Sequence, residues 1–275
     1  MSSLVVNTNL SALQALNDLN ATDSSMTTAI KRLSSGLQIQ TAATGPAQYV
    51  ISQALQSQAN GYNTAIQNAQ DGVSLIQTAS GALTQISSIL QTMDQLALTS
   101  ATSVTQTTSS RAANQSEFTD LKQTITEIAT TTSFGKAHLL TGTFSGTLQI
   151  GAFDNTHTQI GLAISGMKLA TLTLSTAKIT NATSAQAAVS AVQAALDTVD
   201  STAAKVGATQ NELNAIVANL TVGQQNLAAA NSQLVDVNMA QEMTAFTTDQ
   251  ILMQSGVAML GQAQQTPSLV LKLLS

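Results

Sequence analysis

The sequence predicts a mainly α protein: a long antiparallel helical rod, coiled-coil-like, with a small β-containing insert and paired terminal helices. Three patterns carry that reading. Ile76, Leu83, Leu90 and Ala97 fall seven residues apart, with Ala79, Ile86 and Met93 three residues after the first three. Leu213, Leu220, Leu227 and Leu234 repeat the arrangement, with Ile216, Gly223, Ala230 and Val237 three residues later. Spacing of this kind is an a/d seam, narrower than the stripe of a globular helix. Both chain ends carry further apolar stripes, and the stretch between the seams alternates over short Gly- and Thr-bounded runs, as strands do.

Residues 1–40 read as helix, opened by the capping cluster Asn7-Thr8-Asn9. Val6, Leu10 and Leu13 begin its stripe, and Leu19, Met26, Ile30, Leu33 and Leu37 continue it after a drift. Gly36 offers a break, and Thr44-Gly45-Pro46 is the clearer boundary, since Pro suits a helix start and not an interior. A very long helix is expected from about Ala47 to Leu98; at ~1.5 Å per residue it would span roughly 75 Å. Ala101 to Ser110 reads as a Thr/Ser-rich link. Asn114, Phe118, Leu121, Ile125, Ile128 and Thr132 space as the next helix, ending before Phe134-Gly135.

From 139 to 180 two to four short strands are expected. Residues 147–150 and 159–164 alternate, Asp154-Asn155 supplies a turn, and Leu169, Leu172 and Leu174 continue the apolar content. A second long helix begins near Ser184. Its frame shifts between Leu234 and Met239, so the last stripe reads as a separate packing unit. Met239, Phe246, Met253 and Leu260 recur every seven residues, Met243 and Val257 fill alternate positions, and the chain continues into Ser268-Leu-Val-Leu-Lys-Leu-Leu-Ser275. The domain reading is 1–43 and 236–275 as the two parts of a terminal-helix domain, and 44–138 and 184–235 as those of a rod domain. Residues 139–183 are a β-hairpin-rich insert of the rod. Two long antiparallel helices would bring both ends together and let the stripes pair. Ends normally fray, and stripes this apolar need a partner surface.

Composition narrows the function classes. Apolar residues make up 43% of the 275, aromatic residues only 3%, with no Trp, so the core is built from Ala, Leu, Ile and Val. Charged residues are 8%, against roughly 25% in an average soluble protein, and none occurs from Leu33 to Gln70. A net charge of −5 with scattered Lys and Arg argues against a nucleic-acid partner. No run is apolar enough to insert in a membrane. With no Cys there is neither a disulfide framework nor a thiol enzyme. No basic segment with an apolar core and a cleavage site opens the chain, so an extracellular destination would need a route that keeps the N-terminus.

Several pieces in register resemble bacterial flagellin. Asn7-Thr-Asn-Leu-Ser-Ala-Leu, Arg32-Leu-Ser-Ser-Gly36 and Asn68-Ala-Gln-Asp-Gly72 are similar to its N-terminal signatures, as is Leu75-Ile-Gln-Thr-Ala-Ser-Gly-Ala-Leu83. Phe134-Gly-Lys-Ala-His-Leu-Leu140 resembles the end of its N-terminal half. Gly207-Ala-Thr-Gln-Asn211, Asn226-Leu-Ala-Ala-Ala230, Gln250-Ile-Leu252, Ala258-Met-Leu-Gly-Gln-Ala263 and Pro267-Ser-Leu-Val-Leu-Lys-Leu-Leu274 match its C-terminal half. The resemblance covers roughly 1–140 and 184–275. It implies a structural subunit, not an enzyme, that needs no cofactor. Such a subunit is exported unfolded by the flagellar type III pathway and self-assembles into an extracellular filament. Implied partners are copies of itself, an export chaperone, and junction and cap proteins. A flagellin-like hook–filament junction protein is the alternative.

The resemblance assigns the polymerisation interface to Val6, Leu10, Leu13, Met26, Ile30, Leu33, Leu37, Met239, Met243, Phe246, Met253, Val257, Leu260, Leu269, Leu271, Leu273 and Leu274. The rod seam is Ile76, Leu83, Ile86, Leu90, Met93, Leu213, Ile216, Leu220, Leu227 and Leu234. The chain departs from the family pattern in three places. Thr41-Ala-Ala-Thr-Gly-Pro-Ala47 stands where two acids and a Gly are common, and Ser275 where an Arg is usual. On the face that vertebrate Toll-like receptors for flagellin read, Thr92 and Asp94 replace positive charges and Gln95 replaces an acid.

Blander readings hold elsewhere. His138 and His157 have no carboxylate at metal-site spacing, and Asp197 and Asp200 read as a solvated helix face. Met239, Met243, Met253 and Met259 read as adaptable packing at a subunit interface. Lys31-Arg32 is either a solvated pair or an intersubunit contact. The Ser/Thr tracts at 99–110 and 141–147 are either plain loops or carriers of O-glycans.

Overall fold

The structure, a computed structural model, describes residues 9–152 and 158–274, with side chains to residue 265. The expected Val6, the Asn7 and Thr8 of the capping cluster, the Asp154-Asn155 turn, His157 and Ser275 lie outside the described residues. So do the side chains of Leu269, Leu271, Leu273 and Leu274. The described elements are α1 (Leu10–Ser35), α2 (Pro46–Ala101), α3 (Thr108–Thr131), β1 (Ser133–Phe134), β2 (Ala137–His138), β3 (Ser145–Gln149), β4 (Gln159–Ala163), α4 (Ala182–Val235) and α5 (Met239–Leu274). They fall into two compact units, 58–225 and 1–57 with 226–275.

In the unit 58–225, the buried positions of α2 run Ala65, Ala69, Gly72, Ile76, Ala79, Leu83, Ile86, Leu90, Met93, Ala97, Ser100. The steps alternate between four and three, the signature of one continuous seam. Along α4 the sequence pattern is visible only from Leu213, but burial starts much earlier, at Ala185, Ala188, Val192, Ala195, Val199, Thr202 and Val206. These small residues keep the same seven-residue frame as Leu213. Phe118, Ile125 and Ala129 of α3 join the same core, as do Leu139 and Leu140, Ile160 and Leu162 of β4, and Ile164, Met167, Leu172, Leu174 and Ile179 beyond it. Small residues on α4 allow close helix approach, and the bulky ones on α2 and α3 fill the space, which is how a core with few aromatics reaches interior density.

Local chemistry sets the helix ends. Thr107 and Ser110 cap α3 reciprocally, each hydroxyl accepting from the other's backbone N–H at 3.1 and 2.9 Å. At the start of α4, Asn181 Oδ1 accepts from the Ser184 N–H at 2.8 Å and the Ser184 hydroxyl from the Asn181 N–H at 3.2 Å. Such boxes satisfy N–H groups that the helix leaves unpaired. The first helix is shorter than the expected 1–40, because Gly36 takes a left-handed conformation (φ 74°) and its N–H closes on the Arg32 carbonyl at 2.8 Å. Nothing lies within 4 Å of a Cβ added at Gly36, so only the backbone opposes a side chain there. Gly36→Ala is expected to cost about 1–2 kcal/mol, read as faster amide exchange in the last turn of α1.

The insert also differs in detail from the sequence reading. β3 and β4 pair antiparallel, Ser145 opposite Ala163 and Gln149 opposite Gln159. The small β1–β2 pair, Ser133 opposite His138, lies before the insert and lacks alternation long enough to be seen in the sequence. Leu169, Leu172 and Leu174 are not in strands. Successive turns hold this stretch, with the Leu172 N–H donating to the Lys168 carbonyl at 3.0 Å and the Leu174 N–H to the Leu169 carbonyl at 2.9 Å. Gln115 Oε1 accepts from the Ile179 N–H at 2.6 Å, and Lys122 Nζ donates to the carbonyls of Ser175 and Ala177 at 3.0 and 3.3 Å.

Burial, and secondarily the charge of Lys178, holds the Lys122 ammonium below its ordinary 10.5. Between that lowered value and 10.5 the unfolded chain binds more protons than the folded one, so stability rises with pH across this window. The advantage of the native chain over Lys122→Met is expected to grow as pH climbs through it, measured by urea unfolding at stepped pH. A flat difference would show that the ammonium titrates like a free lysine.

Candidate functional site

The terminal helices pair antiparallel within the unit 1–57 with 226–275. Leu37 bridges Asp236, and the Gln38 N–H donates to the Val235 carbonyl at 2.7 Å while the Val237 N–H donates to the Gly36 carbonyl at 2.9 Å. Moving outward, Arg32 meets Glu242 at 3.4 Å. A Cβ at Gly256 would sit 3.3 Å from Leu19 Cδ1. At the far end Asn9 Nδ2 donates to the Ala263 carbonyl at 2.7 Å. Asn9 also caps α1, its side chain accepting from the Ala12 N–H at 3.0 Å.

The shielded positions of the pair follow three–four spacing. On α1 they are Ala12, Ala15, Leu19, Thr22, Met26, Ala29 and Leu33; on α5, Glu242, Phe246, Asp249, Met253, Gly256, Leu260 and Ala263. Of the residues singled out in the sequence, Met26, Leu33, Leu37, Phe246, Met253 and Leu260 are therefore half-buried. Leu10, Leu13, Ile30, Met239, Met243 and Val257 are exposed, Leu10 by 72%. The positions that alternate with Phe246, Met253 and Leu260 inside the pair are Glu242, Asp249, Gly256 and Ala263, so Met243 and Val257 stand on a flank. Leu16, Ile251 and Leu252, absent from the interface assignment, join the exposed set, with Ile251 at 63% and Met259 at 65%. The adjacent Ile251-Leu252 was the available signal, since two neighbouring apolar residues cannot both lie in a seven-residue seam.

At 100° per residue, the apolar residues of α5 occupy its whole circumference. Phe246 and Met253 face α1, Met239, Met243 and Val257 lie on one flank, Leu252 and Met259 on the other, and Ile251 at the back. A helix apolar all round is built to be surrounded; α1 covers one side of it. No described helix is long and apolar enough to cross a membrane.

The seam residues Ile76, Leu83, Ile86, Leu90, Met93 and Leu213 are fully buried, whereas Ile216, Leu220, Leu227 and Leu234 are half-buried. Thr92 and Gln95 are exposed, and the Thr92 hydroxyl donates to the Ser88 carbonyl at 3.1 Å. Asp94 is half-buried, with Oδ1 shielded and unpartnered. His138, Asp197 and Asp200 are exposed. Among the described residues no three His, Asp or Glu side chains gather as a metal site would require.

The N-terminal helical region of bacterial flagellin matches residues 6–145, and its C-terminal helical region matches residues 189–274. The chain belongs to the bacterial flagellin family. The flagellin of Halalkalibacterium halodurans is 38% identical over 98% of this chain and 100% of its own length. The crystal structure of Bacillus cereus flagellin shares the fold with TM-score 0.50 and 24% identity, over 60% of this chain and 94% of that one. A putative flagellar hook-associated protein of Vibrio parahaemolyticus shares it with TM-score 0.58 and 11% identity, over 70% of this chain and 100% of that one.

As a flagellin the chain is a structural subunit, and the geometry gives its motifs physical content. Arg32 and Gly36, the ends of one signature, form the ion pair and the helix stop. In Asn68-Ala-Gln-Asp-Gly72, Asn68 Nδ2 donates to the Gln149 carbonyl at 3.0 Å. Gly72 leaves the space that Leu148 of the flagellin hairpin fills. Leu139 and Leu140, closing the Phe134 motif, are fully buried.

Proposed function

We propose that this flagellin polymerises through its terminal helices into the filament of a bacterial flagellum, serving swimming motility. The observation that carries the proposal is α5, apolar around its circumference and covered on one side only. Ten large apolar side chains of α1 and α5 are exposed: Leu10, Leu13, Leu16, Ile30, Met239, Met243, Ile251, Leu252, Val257 and Met259. Burying what each exposes contributes roughly 1–2 kcal/mol, and the sum of roughly 10–20 kcal/mol is large enough to offset an association cost of about 4–15 kcal/mol. In this reading 1–43 and 236–275 form the polymerising core, 44–138 and 184–235 the rod, and 139–183 its insert. Ile216, Leu220, Leu227 and Leu234, half-buried in one chain, gain cover in the filament. The subunit leaves unfolded by the flagellar type III route, which a chain without Cys suits, and reaches the extracellular filament. A chaperone, junction proteins and a cap attend it.

Electron microscopy of the purified chain tests this. Long tubes support a filament subunit; short capped oligomers support the junction protein instead. Thr92, Asp94 and Gln95 carry a second proposal, that this flagellin escapes the vertebrate receptor. Reporter cells given purified monomer are expected to stay near baseline, and full activation at nanomolar concentrations would refute it.

A further inference from the structure

Lys31 and Arg32 are neighbours in sequence with different surroundings. Arg32 Nη1 donates to Glu242 Oε1 at 3.4 Å. Lys31 lies about 100° around α1 from it, is exposed, and forms no ion pair among the described residues. Beside Arg32 and Glu242 opens a cavity of about 370 Å³, lined also by Ser24, Ser25 and Thr28 of α1 and by Asp249 of α5. Asp249 is half-buried and has no ion pair among the described residues. One guanidinium against two carboxylates leaves the cavity with an uncompensated negative charge. The uncompensated charge lies on the Asp249 side, since the guanidinium already meets Glu242.

We infer that this cavity receives Lys31 of a second copy of the chain, its ammonium pairing with Asp249 and its two remaining hydrogens going to hydroxyls among Ser24, Ser25 and Thr28. The inference rests on the self-assembly proposed above and names one contact within it. Charge complementarity favours this occupant. Lys31 and Arg32 are the only cations of the unit's described side chains, and Arg32 is engaged. Donor and acceptor are different groups, Lys31 on α1 and Asp249 on α5, so the contact can run from copy to copy without closing. In an interface otherwise nearly uncharged, one such pair rejects wrong alignments more than it adds affinity.

Charge reversal tests it. Lys31→Glu and Asp249→Lys, each alone, place like charges at every contact and are expected to raise the critical concentration for polymerisation about tenfold or more. An equimolar mixture is expected to restore assembly, because each contact then joins opposite charges between unlike chains. An intrachain role would not respond to mixing. Single variants that assemble like the unmodified chain, or a mixture no better than its parts, overturn the contact. The unmodified chain, run in parallel, reports separately on self-assembly. The double variant Lys31→Cys with Asp249→Cys reverses no charge, and the native chain has no Cys. Its oxidised filaments should run as ladders of chain multiples on non-reducing gels, and monomer bands alone would also overturn the inference.

Discussion

Ile251→Asn combined with Leu252→Asn is expected to abolish polymerisation while leaving the unit 58–225 folded. Both side chains are more than half exposed in one chain, so the monomer loses little apolar cover. Surrounded by neighbouring copies, each loses roughly 1–2 kcal/mol of burial and gains the cost of a shielded amide. Together they raise the critical concentration by about 10²–10⁴-fold, beyond ordinary working concentrations. Sedimentation of filaments measures the loss, and circular dichroism with thermal unfolding follows the monomer. Assembly near the native concentration would mean that α5 is not surrounded.

Phe118→Ala acts on the other unit. Phe118 is fully buried in the same core cluster as the α2 and α4 seam residues, and removing a buried phenyl ring costs about 3–5 kcal/mol through lost transfer energy and the cavity left behind. Urea unfolding of the monomer should show a midpoint lowered accordingly. Phe246→Ala is the contrast: Phe246 is half-buried in the terminal pair, so monomer unfolding should change by under about 1 kcal/mol while filament stability falls. Equal effects of the two substitutions in the monomer would contradict the division between them.

Legibility in the sequence followed side-chain size. The α2 seam was readable because Ile76, Leu83, Ile86 and Leu90 mark it with large residues. The first half of the α4 seam was not, because Ala185, Ala188, Ala195 and Thr202 suit a close helix contact as well as an exposed surface. Only the facing Ile, Leu and Phe side chains of α2 and α3 decide between the two. The end of α1 at Ser35 was signalled by Gly36, yet Leu37 kept the apolar spacing alive and masked the stop.

The terminal stripes were visible but undivided. A seven-residue repeat fixes a seam without saying which neighbouring apolar residues join it. Placing Glu242 and Asp249 inward, and Met243 and Val257 outward, depends on the pairing with α1. Arg32 of α1 meets Glu242 there at 3.4 Å. Cavity and ion pair were beyond reach for the same reason, since they require α1 and α5 in register.

The central claim is that the exposed faces of α1 and α5 are covered by other copies of the chain. Electron cryo-microscopy of the filament, at a resolution that shows side chains, tests it most directly. The account predicts both helices in the innermost layer, with Leu10, Leu13, Ile251, Leu252 and Met259 packed against neighbouring subunits. A filament in which those five side chains face solvent, held together through the unit 58–225 alone, would contradict it.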